Sequence, residues 1–174
     1  NTPVTADQAT KQELHIPVDV MLLGADGKPE AMDASGSLSK VLNLRQKEQT
    51  FEFFGIPEKP VADVFRGFSA PVKVNFDQSL QELTHILLNA EDDFSRWEAA
   101  QAIYSDAIIA GVENDGRIPE AKLQVIIDNL HSLLNNKPDD LALLAELFCI
   151  PAFDALAQMQ ETIDVDGLLN ARND

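Results

Sequence analysis

The residue types that usually carry catalysis are present, but none of them forms a complete catalytic pattern. The three histidines, His15, His85 and His131, are far apart, and none lies in the His-Glu-x-x-His or Cys/His spacing that binds zinc. Cys149 has no basic residue nearby in the sequence that would activate its thiol, so we expect a small buried hydrophobic residue. Ser69 lies outside any Gly-x-Ser-x-Gly motif and has no nearby histidine. The residues alone therefore predict no complete active site.

Two acidic clusters have more ordinary interpretations than catalysis or metal binding. Glu91-Asp92-Asp93 precedes an apolar helical pattern and is more typical of a helix boundary than of an acid/base pair. Asp164-Val-Asp166-Gly167 resembles part of a calcium loop, but the carboxylate expected at the twelfth position is missing. We interpret Asp164 as a helix cap.

The formal net charge of −16 argues against a nucleic-acid partner, because phosphate groups would be repelled. The charge is uneven: residues 1–78 contain 8 basic and 11 acidic residues, a net of −3, and residues 79–174 contain 5 and 18, a net of −13. A solvated helical surface explains the acidic half. Attraction of cationic ligands, such as peptides with a free amino terminus, remains open.

Other features of the chain bear on location and extent. A single cysteine allows no intrachain disulfide, so no oxidising compartment is implied. No apolar run approaches the length that a membrane span needs. We therefore expect a cytoplasmic protein without a membrane partner. The chain begins without Met and stops within a helical pattern, so we expect a piece of a longer protein.

Residues 1–78 show the alternating apolar pattern of short strands, broken by Gly and Pro. Strands are predicted over 14–22, 41–44, 49–54 and 72–76, and residues 61–65 fit a strand or a turn of helix. The pattern favours a small β-sandwich. Aromatic and β-branched residues late in this half are expected to build its core: Phe51, Phe53, Phe68, Val72, Val74 and Phe76.

From residue 79 the apolar period changes to three and four, which predicts amphipathic helices. Ser79 with Glu82, and Ser95 with Glu98, have the spacing of capping boxes. Pro119 and Pro151 favour later helix starts. Short connections indicate antiparallel helices or a helical solenoid over 79–174, and Trp97 is expected to anchor the first hairpin.

Two longer motifs carry a family resemblance. The segment Arg66-Gly-Phe-Ser-Ala-Pro-Val-Lys73, followed by Asp93-Phe-Ser-Arg-Trp-Glu-Ala-Ala-Gln101, resembles the bacterial aminopeptidase N (alanyl aminopeptidase) family of zinc metallopeptidases. Leu14-His-Ile-Pro17 and the late segment Ile163-Asp-Val-Asp166 fall in the order that the family has. The resemblance covers almost the whole chain.

The resemblance implies a position within a larger enzyme. The family has an amino-terminal β domain, a thermolysin-like catalytic domain, an immunoglobulin-like β-sandwich and a large helical domain. This chain resembles the sandwich (1–78), whose first strand is expected before Asn1, and the first helices of the truncated helical domain (79–174). It implies zinc in the parent, but no cofactor and no catalytic, metal-binding or substrate-binding residue in this piece, which we expect to be inactive.

The implied role is mechanical: the sandwich spaces the catalytic domain from the helical domain that covers the active site. Partners would be the catalytic and remaining helical domains of the same chain, with peptide substrates for the parent. The alternative is an independent protein-interaction module with no enzymatic role. The presence of a His-Glu-x-x-His segment upstream of Asn1 would distinguish the two.

Overall fold

The computed structural model describes residues 14–174, which divide into two compact units. The first unit ends at Val74 and the second begins at Asn75, whereas the sequence pattern places the boundary after residue 78. Within residues 14–174, no helix combines the length and apolar character needed to cross a membrane.

The first unit contains a three-stranded antiparallel sheet with the order β2-β1-β3. Its strands are β1 (Ile16–Leu23), β2 (Ser39–Leu44) and β3 (Val61–Val64). In the register, Asp19 lies opposite Val41 and Leu22 opposite Ala62. β1 is the central strand because it pairs with both β2 and β3, and its carboxyl-terminal half is buried on both faces.

One face of this sheet carries an apolar core. Val20 and Leu22 point to the same side of β1 because side chains alternate along a strand. They cluster with Met32, which comes from the loop between β1 and β2. Half-buried residues of all three strands and of the loop before β3 pack against this cluster: Val18, Leu42, Phe53, Ile56, Ala62 and Val64.

The segments 49–54 and 72–76 form no strand, contrary to the sequence prediction. The chain leaves β3 through Phe65 and Phe68, which have positive φ angles of 60° and 54°. Such left-handed residues end a strand, and the segment that follows joins no ladder of the described sheet.

The expected sandwich core is therefore wrong at three positions. Phe68, Val74 and Phe76 are 56 %, 43 % and 49 % exposed, because they follow the end of the sheet instead of alternating across it. Phe51 and Val72 are half-buried, and Phe53 packs on the core described above. The sequence of residues 61–65 fitted either a strand or a turn of helix. The structure has the strand β3 there, followed by a short 3-10 turn at Arg66–Phe68.

The second unit consists of six helices. The longest is α2 (Asp93–Val112), which packs against α1, α3, α4 and α6. The other helices are α1 (Leu80–Asn89), α3 (Glu120–Asn135), α4 (Leu141–Leu147), α5 (Phe153–Ala157) and α6 (Val165–Asn173).

Small residues allow α2 to lie close to its neighbours. Ala99, Ala100, Ala107 and Gly111 are all buried along this helix. A Cβ atom at Gly111 would lie 2.9 Å from the Cβ of Ala171 in α6, so only glycine fits this approach. Around the contact lies a core cluster of Ile108, Leu156, Ala157, Leu168 and Ala171.

The helix caps follow the sequence signals in most places. Ser79 forms a full capping box with Glu82, and Asp164 accepts a hydrogen bond from the Gly167 amide as the cap of α6. The prediction for the second helix is wrong, because Asp92 is the cap and accepts from the Ser95 amide. Ser95 itself lies inside α2 and is buried. It does not cap the helix, because the Asp92 carboxylate three residues upstream already takes that role.

Candidate functional site

The residues that could carry chemistry remain apart in the structure. The His15 ring is exposed and bonds the Asn43 side chain at 2.6 Å. His85 lies in α1 and His131 in α3. Across residues 14–174, no group of three or more His, Cys, Asp or Glu side chains could hold a metal ion. The described residues thus offer no site that zinc would fit.

Cys149 is exposed, so the expectation of a buried hydrophobic residue is wrong. It follows α4, where the chain turns away from the helix and leaves the side chain at the surface. Its Sγ atom donates to the carbonyl of Ala145 at 3.4 Å. This is a weak local hydrogen bond of the kind that thiols form.

Residues 63–69, at the end of β3 and in the turn after it, include the first half of the motif that carries the family resemblance in the first unit. Asp63 is only 2 % exposed, and its Oδ2 lies 3.4 Å from Nε of Arg66, which is also largely buried. Removing either charge would leave its partner in a poorly solvated environment. The pair therefore fixes the chain at the point where it leaves β3.

Ser69 closes the same turn onto the sheet. Its Oγ accepts a hydrogen bond from the Asp19 amide of β1 at 3.1 Å, across fifty residues of sequence. Ala70, the next residue, is buried. Ser69 thus has a structural partner and is not placed as a nucleophile, and the turn as a whole positions backbone instead of activating a reactive group.

In the second unit, three polar side chains hold the connection after α4. The buried hydroxyl of Tyr104 donates to the Leu147 carbonyl at 2.7 Å. The amide of Gln101 donates to the Cys149 carbonyl at 2.8 Å, and Nε of Arg172 donates to the Pro151 carbonyl at 3.0 Å. These carbonyls lie at or beyond the end of a short helix and need such donors.

Tyr104 has a strongly raised pKa. Burial raises the pKa of Tyr104 to about 12, and the nearby Cys149 adds to the increase. The neutral phenol is favoured because a buried phenolate would lose its solvation. Tyr104 therefore acts as a hydrogen-bond donor at ordinary pH and does not serve as a base.

The sequence prediction missed Asp63, Gln101, Tyr104 and Arg172. Tyr104 could have been found, because it lies on the apolar face of a predicted helix and a buried tyrosine usually needs a partner for its hydroxyl. Asp63 interrupts an apolar strand pattern three residues before Arg66, which is also a readable signal. The carbonyl partners of Gln101 and Arg172 depend on how the helices pack and leave no sequence pattern.

Family models match both units of the chain. Residues 1–77 match a domain of unknown function (DUF3458) described as an Ig-like fold. Residues 80–174 match its carboxyl-terminal companion (DUF3458_C), described as ARM repeats. The chain belongs to the DUF3458 family. This match confirms the predicted fold class, an immunoglobulin-like unit followed by a helical array.

The relatives of this DUF3458 chain are aminopeptidases, which confirms the resemblance to the aminopeptidase N family. Aminopeptidase N of Haemophilus influenzae is 36 % identical over 99 % of this chain, which spans 20 % of that protein. Aminopeptidase N of Escherichia coli is 36 % identical over 98 % of this chain, again 20 % of the relative. The DUF3458 chain thus spans about a fifth of the length of these relatives.

A solved structure gives a similar result. The crystal structure of Legionella pneumophila aminopeptidase A in complex with aspartic acid has a TM-score of 0.76 and 25 % sequence identity to the DUF3458 chain. The match covers 91 % of this chain and 18 % of the other.

Proposed function

We propose that this chain is a non-catalytic part of a zinc-dependent aminopeptidase that removes amino-terminal residues from peptides. The observation that carries the proposal is the 36 % identity to aminopeptidase N over 99 % of the chain. The match runs through both units, as expected if the two units occur together in a larger enzyme. The zinc ligands and the general base belong to the catalytic domain, outside this chain.

The contribution of this chain to the enzyme is mechanical. The first unit spaces the catalytic domain from the helical domain, and the helical domain covers the active site. The interactions described above suit such a role, because they fix backbone: the Asp63–Arg66 pair at the exit of β3 and the Tyr104 bond to the Leu147 carbonyl. Buried charge pairs and buried hydroxyl donors hold one geometry because breaking them leaves a polar group unsolvated.

The proposal includes partners and a location. The partners are the catalytic domain and the remaining helices of the same longer protein, and the parent acts on peptides. The location is cytoplasmic, which is supported by a single cysteine that permits no intrachain disulfide.

The coding sequence upstream of Asn1 tests the proposal. We expect it to encode a His-Glu-x-x-His segment on a helix, because two histidines one turn apart bind zinc and the glutamate acts as general base. A stop codon or an unrelated domain at that place would instead favour an independent protein-interaction module and would reject the aminopeptidase assignment.

The spacing role is tested separately, in the complete enzyme. Arg66→Ala should lower kcat/KM for peptides while the zinc content stays at that of the unaltered enzyme, because the change affects the support and not the metal site. An exposed cation in the same unit provides the control: Lys28→Ala should leave both quantities unchanged. Equal kinetics for Arg66→Ala and the unaltered enzyme would reject the spacing role.

A further inference from the structure

Part of the apolar surface of helix α6 is exposed. Leu168 and Ala171 are fully buried in this helix, which packs against α2 and α5. Val165 and Leu169 are apolar as well, but they are 51 % and 44 % exposed. They lie one turn apart, so their side chains share one side of the helix, which we call the outer face. The outer face adjoins the buried one, because Leu169 follows Leu168 by only about 100° around the helix axis.

The outer face of α6 has polar limits on both sides. Asp166 and Asn173, which follow it around the helix, are exposed. Arg172 lies between the outer face and the buried one, and its Nε donates to the Pro151 carbonyl at 3.0 Å. The apolar surface of α6 thus extends beyond the buried face as a narrow strip. A helix with such a wide apolar surface is typical of one that packs against a further neighbour.

We propose that a further helical repeat of the same longer protein packs on the outer face of α6. The family model that matches residues 80–174 is described as ARM repeats. In such arrays each repeat packs on the next, and a repeat at the end of the array needs a polar outer surface. The outer face of α6 is apolar and therefore does not suit an end repeat. The proposal rests on the proposed function in one respect, that this chain is part of a longer protein; it spans 20 % of its relative from Haemophilus influenzae.

The shape and charge of this surface define the occupant. Val165 and Leu169 form a ridge of residues four apart, and such a ridge packs into a groove between the side chains of a facing helix, with the axes about 8–10 Å apart. The facing helix should therefore have apolar residues at spacings of three and four. A second copy of this chain fits less well, because it would bring together two helical halves that each have a net charge of −13.

Thiol labelling tests whether the outer face is covered in the complete protein. Leu169→Cys and its matched control Asp166→Cys, on the polar side of α6, react with a maleimide, and mass spectrometry of the α6 peptide follows each reaction. In the complete protein, residue 169 should react at least about tenfold more slowly than residue 166, because a covered thiol reacts only when the face opens. In the 174-residue chain, checked for folding by circular dichroism, the two should react at similar rates. Similar rates in the complete protein, or the same tenfold difference in the 174-residue chain, would overturn the proposal.

Cross-linking identifies the occupant. A thiol-reactive benzophenone on Leu169→Cys of the complete protein is activated by light, and the products are digested and sequenced by mass spectrometry. We expect a product with the mass of one chain, in which residue 169 is joined to a segment with a helical apolar pattern outside residues 1–174. A product of doubled mass that joins two copies, or a link to residues 1–13 of this chain, would overturn the proposal.

Failure of this proposal can be told apart from failure of the proposed function. A reading frame that ends at Asp174 would leave no further repeat and would overturn the packing proposal, whereas the aminopeptidase assignment depends on the segment encoded upstream of Asn1. The absence of a His-Glu-x-x-His segment there would reject the aminopeptidase assignment, and the labelling of residues 166 and 169 would still decide whether the outer face is covered.

Discussion

Tyr104 shows how one side chain can hold a helix connection and report on the folded state. It is the sole tyrosine of the sequence, so the ultraviolet absorbance of its phenolate is not obscured by another tyrosine. Its hydroxyl donates to the Leu147 carbonyl, and its pKa is raised to about 12 by burial.

The first prediction concerns the titration of Tyr104. The phenolate absorbance of the folded chain should appear with a midpoint near pH 12, against about 10 in the unfolded chain. Because the folded pKa is the higher one, the stabilisation is complete below pH 10 and is lost as the pH rises through 12, by about 2–3 kcal/mol. Denaturant unfolding at several pH values measures this loss.

Tyr104→Phe supplies the comparison. It removes the hydroxyl and should lower the free energy of unfolding by about 1–2 kcal/mol at neutral pH, because the Leu147 carbonyl loses its donor. Its stability should then fall less steeply than that of the unaltered chain between pH 10 and 12. A phenolate midpoint near 10 in the folded chain would show that Tyr104 is solvated.

The Asp63–Arg66 pair gives the second prediction at this scale. Arg66→Ala should lower the free energy of unfolding by about 3 kcal/mol, because the carboxylate of Asp63 is 2 % exposed and would lose its nearby cation. Chemical denaturation measures the change. Lys28→Ala, which breaks an ion pair at the surface, should not change stability measurably. Similar stabilities for the two variants would contradict the importance of burial.

At the scale of single elements, the start of α1 gives a third prediction. Ser79→Ala removes the acceptor for the Glu82 amide at 3.2 Å and should cost about 1 kcal/mol of stability, measured by thermal or denaturant unfolding. Ser132→Ala is the control, because the Ser132 hydroxyl only bonds the Asp128 carbonyl within α3. That change should be neutral or slightly stabilising. A loss at Ser132 as large as that at Ser79 would argue against the cap.

A fourth prediction concerns Trp97 near the start of α2. Its ring centroid lies 6.0 Å from that of Phe94 at a tilt of 33°, and the residue is half-buried. Trp97→Ala should therefore destabilise the chain by about 2 kcal/mol, less than the loss at a fully buried aromatic residue. Trp97→Phe should retain most of that stability. A loss below about 1 kcal/mol in Trp97→Ala would reject the anchoring role, which so far stays a prediction.

Helices and strands could be predicted from the sequence where residues close together in the chain determine them. The capping box at Ser79, the cap at Asp164 and the apolar alternation of β1 depend on residues within a few positions of one another. The start of α2 was misplaced because Asp92 and Ser95 both fit a cap, and the sequence does not rank them. Residues 72–76 were predicted as a strand because their apolar residues alternate, but a strand also needs a neighbour, and these residues pair with none of residues 14–174.

Site chemistry was less predictable than element boundaries. Burial of Asp63 and exposure of Cys149 depend on how distant segments pack, and apolar neighbours in the sequence misled the prediction for Cys149. The left-handed backbone at Phe65 and Phe68 has no sequence signal, because aromatic residues rarely adopt positive φ. That turn ends the sheet and moves Phe68 to the surface.

At the scale of the whole molecule, two observations belong together: the chain is similar to part of an aminopeptidase, and its buried polar groups hold backbone in place. The DUF3458 units match about a fifth of aminopeptidase N at 36 % identity. The described residues bring together no metal-binding group, and their buried polar interactions hold backbone in place. Our proposal is that this part supports an aminopeptidase and carries none of its chemistry.

Turnover of a chromogenic aminoacyl substrate by the purified 174-residue chain tests this claim most directly. The assay is run with added zinc, without it, and with a chelator, and the preparation is first checked by circular dichroism for folded protein. The account predicts no release of chromophore above the buffer rate in any of the three conditions. Turnover that the folded chain supports with zinc, and that the chelator abolishes, would contradict it.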